Sequence, residues 1–244
     1  FKFYMQTKQH KSFTDMRFFT TLLLSVTAIS AFSQSKGIRC IYSSSMEVSK
    51  GVYEMENEIA KKMVIRDIQE DKKIYSLTAV GNKYLFTKEP ESVDKVPLMV
   101  DERNIYIDLD DSIKVTQSEF VNKLYIVKGH ANRLDWDVEE KTENVLGKTC
   151  YKATLRQDPR ITAWFTPEIP FACAPLGYYG LPGLVVRITT PAYTLSLESM
   201  TEVDNIELKE PTEGTAITEE EYSEKVDHNY KKLLDSADKV TYMK

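Results

Sequence analysis

Ile74-Tyr75-Ser76-Leu77-Thr78-Ala79-Val80, then Gly81-Asn82, then Lys83-Tyr84-Leu85-Phe86-Thr87 is the stretch that sets the fold. Both arms alternate with period two, as strands with one buried face do. Gly81-Asn82 between them is a two-residue hairpin turn. Working outward, Ile105, Ile107 and Leu109 share one face, while Tyr106, Asp108 and Asp110 share the other. Strands are further expected over 113–118, 121–128, 133–138, 149–157, 161–166, 184–190 and 192–199. Gln157-Asp158-Pro159-Arg160 and Pro191-Ala192 supply turns between some of them. Many strands with short turns and few intervening helices point to an antiparallel sheet rather than a βαβ fold. Such a sheet must bury one face, so it curls, closes, or packs on a helix. The expected fold is mainly β: a single strongly curved antiparallel sheet, half-open barrel or bowl, with a C-terminal helix.

That helix begins at a capping box, Thr218 with Glu221, and continues through Tyr222, Val226, Tyr230 and Leu233 at helical steps. Residues 56–70 place Ile59 and Met63 at helical spacing, but Met63-Val64-Ile65 also fits a strand, so both remain open. Residues 203–216, acidic and holding Pro211 and Gly214, read as a strand end and loop.

The amino-terminal region carries an address. Met16-Arg17 is followed by an apolar run through Ile29 and by Ser30-Ala31-Phe32-Ser33, the order of a secretory signal. The apolar core is about a dozen residues, short of the ~20 that span a bilayer. Residues 1–15 precede Met16 and are read as an extension outside the fold. The expected division is 1–33 as pre-sequence and signal peptide and 34–244 as a single β-rich domain. No cysteine follows the expected cleavage point, which argues against a lipoprotein.

Charge and composition narrow the function classes. The chain is 42% apolar and 28% charged with nine Gly and nine Pro, which excludes disordered and collagen-like chains. Its net charge of −5 becomes −8 over residues 34–244, opposite to what a non-specific nucleic-acid binder needs. Only His130 and His228 lie beyond the signal, neither at metal-ligand spacing, so no metal or cofactor is expected. No phosphate-binding glycine loop and no G-x-S-x-G nucleophile turn is present. Asp108, Asp110 and Asp111 crowd together without the spacing of a calcium loop. Three cysteines in an exported chain allow one disulfide. Cys150–Cys173 is the preferred pair, closing a loop of about 22 residues worth roughly 3 kcal/mol, and pairing of Cys40 with either stays open.

The most unusual stretch runs from Trp164 to Val186, where prolines and glycines interrupt an apolar, aromatic sequence. It is either a plug closing one end of the sheet, the favoured reading, or a binding surface presenting Trp164, Glu168, Tyr178 and Tyr179.

The same residues resemble the GLPGLI family of exported Bacteroidetes proteins, named for the segment that here reads Gly180-Leu181-Pro182-Gly183-Leu184-Val185. Trp136, Val145-Leu146-Gly147, Cys150 with Lys152-Ala153, and Ala163-Trp164-Phe165-Thr166-Pro167-Glu168-Ile169-Pro170 stand in the family's order over about 135–190. Ala174 stands where the family commonly has Gly, Arg187 where it often has an acidic residue, and Val185 is the sixth motif letter. The resemblance implies a β-rich exported protein, related to a bowl-shaped module at the front of some bacterial peptide-N-glycanases. It implies no activity and no catalytic residues.

Together these readings lead to an exported protein of the periplasm or outer envelope with a binding or accessory role. The expected ligand is a peptide, glycan or lipid chain, or the partner an outer-membrane transport or envelope protein. The alternatives are a peptide- or glycan-directed hydrolase and a purely structural envelope protein.

Overall fold

The structure is a computed structural model and describes residues 36–96 and 100–241, with side chains to 232. The expected signal peptide and pre-sequence therefore lie outside the described residues. In chain order the elements are β1 (Lys36–Ser45), α1 (Lys50–Tyr53), α2 (Glu58–Glu70), β2 (Ile74–Val80), β3 (Lys83–Lys88), β4 (Val100–Asp108), β5 (Ile113–Phe120), β6 (Lys123–His130), β7 (Trp136–Val145), β8 (Lys148–Leu155), β9 (Thr162–Thr166), β10 (Leu184–Thr189), β11 (Thr194–Asp204), β12 (Thr215–Thr218) and α3 (Glu219–Thr241).

All twelve strands form one sheet, ordered β12-β6-β5-β4-β3-β2-β1-β11-β10-β9-β8-β7. Two antiparallel meanders, β1 to β6 and β7 to β11, are joined where β11 pairs with β1. The sheet does not close, since β12 and β7 remain its edges. One pairing departs from the antiparallel expectation: β12 runs parallel to β6, with Thr215 opposite Tyr125. The chain arrives there by a crossing loop, so hairpin geometry does not constrain the direction. Strand β7 also extends to Val145, well beyond the expected end at 138, because its outer edge is solvated and its alternation weak.

Inward side chains from both meanders meet in one core. Tyr75, Leu77 and Ala79 of β2 and Tyr84 and Phe86 of β3 contribute from one side, and Ala163, Phe165, Leu184 and Ile188 from the other. The decisive hairpin supplies its centre: Tyr75 stacks on Phe86 with centroids 4.8 Å apart. One continuous sheet therefore curls around its own core.

The helices have separate causes. Asn57 caps α2, its Oδ1 accepting from the Ile59 and Ala60 amides at 3.0 Å each, and this settles 56–70 as helix. Ile59 and Met63, which helical spacing puts on one face, are exposed. Helix α3 starts at the expected capping box: the Glu221 amide donates to Thr218 Oγ1 and the Thr218 amide to Glu221 Oε2, both at 3.2 Å. Its Tyr222 and Val226 pack on Phe120, Tyr125 and Val127. Among the described residues no helix is long and apolar enough to cross a membrane.

The expected Cys150–Cys173 disulfide is not formed; all three cysteines are free and buried. Cys150 sits between Glu143, Glu168 and Arg187, whereas the neighbour felt by Cys173 is Cys40 on β1. Proximity in sequence placed the two cysteines in one region, but the curl of the sheet directs them to different surroundings.

Candidate functional site

The segment from Pro167 to Gly183 folds back into the concave side of the sheet. Ile169, Cys173, Ala174, Tyr179 and Leu181 are all buried within the main core. Its backbone is tied down rather than loose. The Leu184 amide donates to the Ile169 carbonyl at 3.2 Å, and the Val185 amide to the Cys173 carbonyl at 3.1 Å. Trp136 Nε1 donates to the Tyr179 carbonyl at 3.3 Å, and Arg133 to that of Gly180 at 3.1 Å.

Two glycines make this path feasible. Gly180 and Gly183 have φ of 126° and 131°, a region L side chains rarely adopt. A Cβ on Gly180 would lie 2.4 Å from the Leu134 carbonyl oxygen, and one on Gly183 2.1 Å from that of Thr166. The Gly-Leu-Pro-Gly motif is thus a backbone requirement: two carbonyls approach where no side chain fits.

The four residues singled out from the sequence do not form one site. Trp164 is buried on β9, with the Lys141 ammonium 5.8 Å from its ring centre. Glu168 is a turn clamp: its Oε1 accepts from the Thr149 amide at 2.8 Å and its Oε2 pairs with Lys148 at 3.3 Å. Those contacts hold its carboxyl below the usual carboxylate range. Only Tyr178 and Tyr179 are brought together, both lining one cavity.

That cavity has a volume of about 580 Å³. It is lined by Leu176, Tyr178 and Tyr179 of the plug, by Pro191 and Tyr193 of the β10–β11 turn, and by Glu102 of β4 and Lys114 of β5. A second cavity of about 350 Å³ shares Glu102, Lys114 and Glu219 and runs under α3 along Tyr222 and Val226. The two form a cleft between the plug and α3.

Glu102 reaches the cleft because β4 is bulged. Glu102 pairs with Ser118 and Asn104 with Gln117, the ladder skipping Arg103. Ser118 and Gln117 are consecutive on β5 and point to opposite faces. Glu102 and Asn104, which a regular strand would place on one face, therefore point oppositely, and Glu102 turns inward with Ser118. Its inward neighbour Ser118 bonds the Tyr222 hydroxyl at 2.8 Å. Among the described residues the Glu102 side chain makes no hydrogen bond or ion pair. Burial raises its pKa, with Asp101 adding to the rise and Lys114 opposing it. Burial, with a contribution from the Glu102 charge, likewise raises Tyr178, and burial pushes Tyr179 up to about 12.

Lys114 is already engaged, its Nζ 3.2 Å from Glu219 Oε1. Gly129 on β6 admits that carboxylate, since a Cβ there would lie 2.1 Å from Glu219 Cδ. His130 lines the same cavity. Among the described residues no group of three His, Cys, Asp or Glu side chains could hold a metal ion.

Sequence reasoning missed Glu102, Lys114, Tyr193 and Glu219. The one local signal was the charged run Asp101-Glu102-Arg103, which breaks the alternation just before Ile105.

Comparison with known proteins adds fold and little else. The model of a family described as a protein of unknown function (Porph_ging) matches residues 155–187, from the end of β8 into β10. No curated protein matches the chain. Among solved structures it is similar to PNGF-II in its P21 form, with a TM-score of 0.52 and 14% identity over 78% of this chain. The C2 form of PNGF-II gives a TM-score of 0.51 at the same identity and coverage. The chain spans about a third of the length of PNGF-II, 33% and 32% in the two forms. At that identity the shared property is the β fold.

Proposed function

We propose that this is an exported cell-envelope protein related to the GLPGLI proteins, with a binding role exercised through the cleft between the plug and α3. The ligand is a peptide, glycan or lipid chain, free or carried by an envelope partner. Export rests on the signal-like order of residues 16–33. The observation that carries the binding reading is the cleft itself. Its larger cavity, at about 580 Å³, falls in the range of small-ligand sites. It is walled by tyrosines and holds a carboxylate with no protein partner. A purely structural role fits less well, because the plug fills the core of the bowl yet leaves this cleft open.

Hydrolysis is the second reading, favoured by one observation: Glu102 and Glu219 share the cleft, and glycoside hydrolysis uses two carboxylates. Binding is preferred because Glu219 is held by Lys114.

The test is photocrosslinking in the native envelope with a benzoylphenylalanine in place of Tyr178, and in place of the exposed Tyr53 as control. The binding reading expects a discrete adduct from position 178 that position 53 does not give. No adduct from 178, or the same adducts from both, overturns it. Glu102-dependent turnover of peptide or glycan substrates would transfer support to the hydrolase.

A further inference from the structure

We propose that the cleft selects a cationic group carried on a peptide, a primary ammonium or guanidinium, which pairs with Glu102 among the rings of Tyr178, Tyr193 and Tyr222. The inference deepens the binding reading above and rests on it.

The charged groups beside Glu102 on β4 and across from it on β5 are paired elsewhere. Lys114, the cation whose charge Glu102 feels, is paired with Glu219 from α3. Asp101, next in sequence, turns the other way and is held by Lys88 at 2.9 Å. Arg103, the bulged residue, pairs outward with Glu119. Asn104 is bound to Gln117 at 2.5 Å on the far face. Glu102 alone turns inward without a partner. A half-buried carboxylate with no ion-pair partner costs stability, and the bulge that turns it inward spends a ladder position. A ligand that brings a positive charge offsets the first of these costs.

The walls favour the same chemistry. Tyr178 and Tyr193 line the larger cavity with Glu102, and Tyr222 lines the smaller one that shares it. The hydroxyls of all three tyrosines feel the Glu102 charge, and tyrosine rings beside a carboxylate attract ammonium or guanidinium groups through their quadrupoles. A fatty-acid carboxylate or an acidic glycan would instead meet Glu102 as a like charge. Peptide is the favoured class because the cleft continues under α3, giving a chain room on both sides of the carboxylate.

The experiment is calorimetric titration of the full chain with four probes: trilysine, Nε-acetylated trilysine, a neutral chito-oligosaccharide and decanoate. The expected result is that trilysine binds and that acetylation weakens it at least tenfold. Glu102→Gln weakens trilysine by a similar factor, while Glu119→Gln on the outer face leaves it unchanged. The acetylation comparison uses the unaltered protein, so it stands even if a variant folds poorly. Equal binding of trilysine and its acetylated form, or binding of only the oligosaccharide or decanoate, overturns cation selection and leaves the binding reading intact. No binding by any probe, with no change in tyrosine fluorescence, counts against both.

Discussion

Tyr42 on β1 donates its hydroxyl hydrogen to the carbonyl oxygen of Val185 on β10, at 2.7 Å, across the intervening strand β11. Strand β10 is bulged against β9 between Val185 and Arg187. The Val185 amide is bound to the Cys173 carbonyl of the plug. One fully buried tyrosine thus ties the first strand to the point where the plug joins the sheet. Tyr42→Phe removes that buried hydrogen bond, so it should cost about 1 kcal/mol. Urea denaturation checks this; an unchanged midpoint would show that the bond contributes nothing to stability.

The glycines of the motif differ from the hairpin glycine in a measurable way. Gly81 has φ of 57° but nothing within 4 Å of an added Cβ, whereas at Gly183 the Cβ meets the Thr166 carbonyl. Gly81→Ala should cost about 1–2 kcal/mol from backbone conformation alone. Gly183→Ala adds the collision and should cost roughly 3 kcal/mol or more. Thermal melts of the two variants, read side by side, separate conformational strain from close approach.

The thiols give a test of the cysteine assignment. Burial pushes Cys40 up to about 12, and burial together with the neighbouring Cys40 holds Cys173 well above the ordinary thiol range. The folded protein should therefore react only slowly with a disulfide reagent, since the thiolate is the reactive form. In denaturant three thiols should titrate. A single titrating thiol would mean that a disulfide is present.

Glu102 makes a prediction whose sign is fixed by its raised pKa. Its folded form holds the proton to higher pH than the unfolded form does. The stability it contributes is therefore fully present below the ordinary glutamate range and is lost as pH rises through the folded value. Lys114, Glu219, His130, Asp101 and the cleft tyrosines are common to both chains in a comparison with Glu102→Gln. The stability difference should accordingly shift in favour of Glu102→Gln as pH rises from about 4 towards 8. A flat difference would show that the Glu102 carboxyl is solvated as in the unfolded chain, and one that moves the other way would place it in contact with a cation the structure does not show.

The sequence was most legible where structure is local. The turn at Gly81-Asn82 and the box at Thr218 and Glu221 depend on neighbours within a few residues, and both form as read. Helical spacing at Ile59 and Met63 says which residues share a face of α2, not that another element covers it, and both are exposed. The parallel pairing of β12 and the inward turn of Glu102 were invisible for a common reason. Each depends on the register of a partner strand, and register carries no mark in the strand itself. The 164–186 stretch showed that its backbone is shaped; which carbonyls approach Gly180 and Gly183 emerges only from the folded chain.

The central claim is that the cleft beside Tyr178, rather than the exposed surface, is where this protein meets its ligand. Fluorine NMR of the protein labelled with 3-fluorotyrosine, titrated with peptide, glycan and lipid probes, reads that directly. The account predicts shifts at Tyr178, Tyr193 and Tyr222 and none at the exposed Tyr53 and Tyr230. Shifts confined to Tyr53 or Tyr230, or no shift at the cleft tyrosines with any probe, would contradict it.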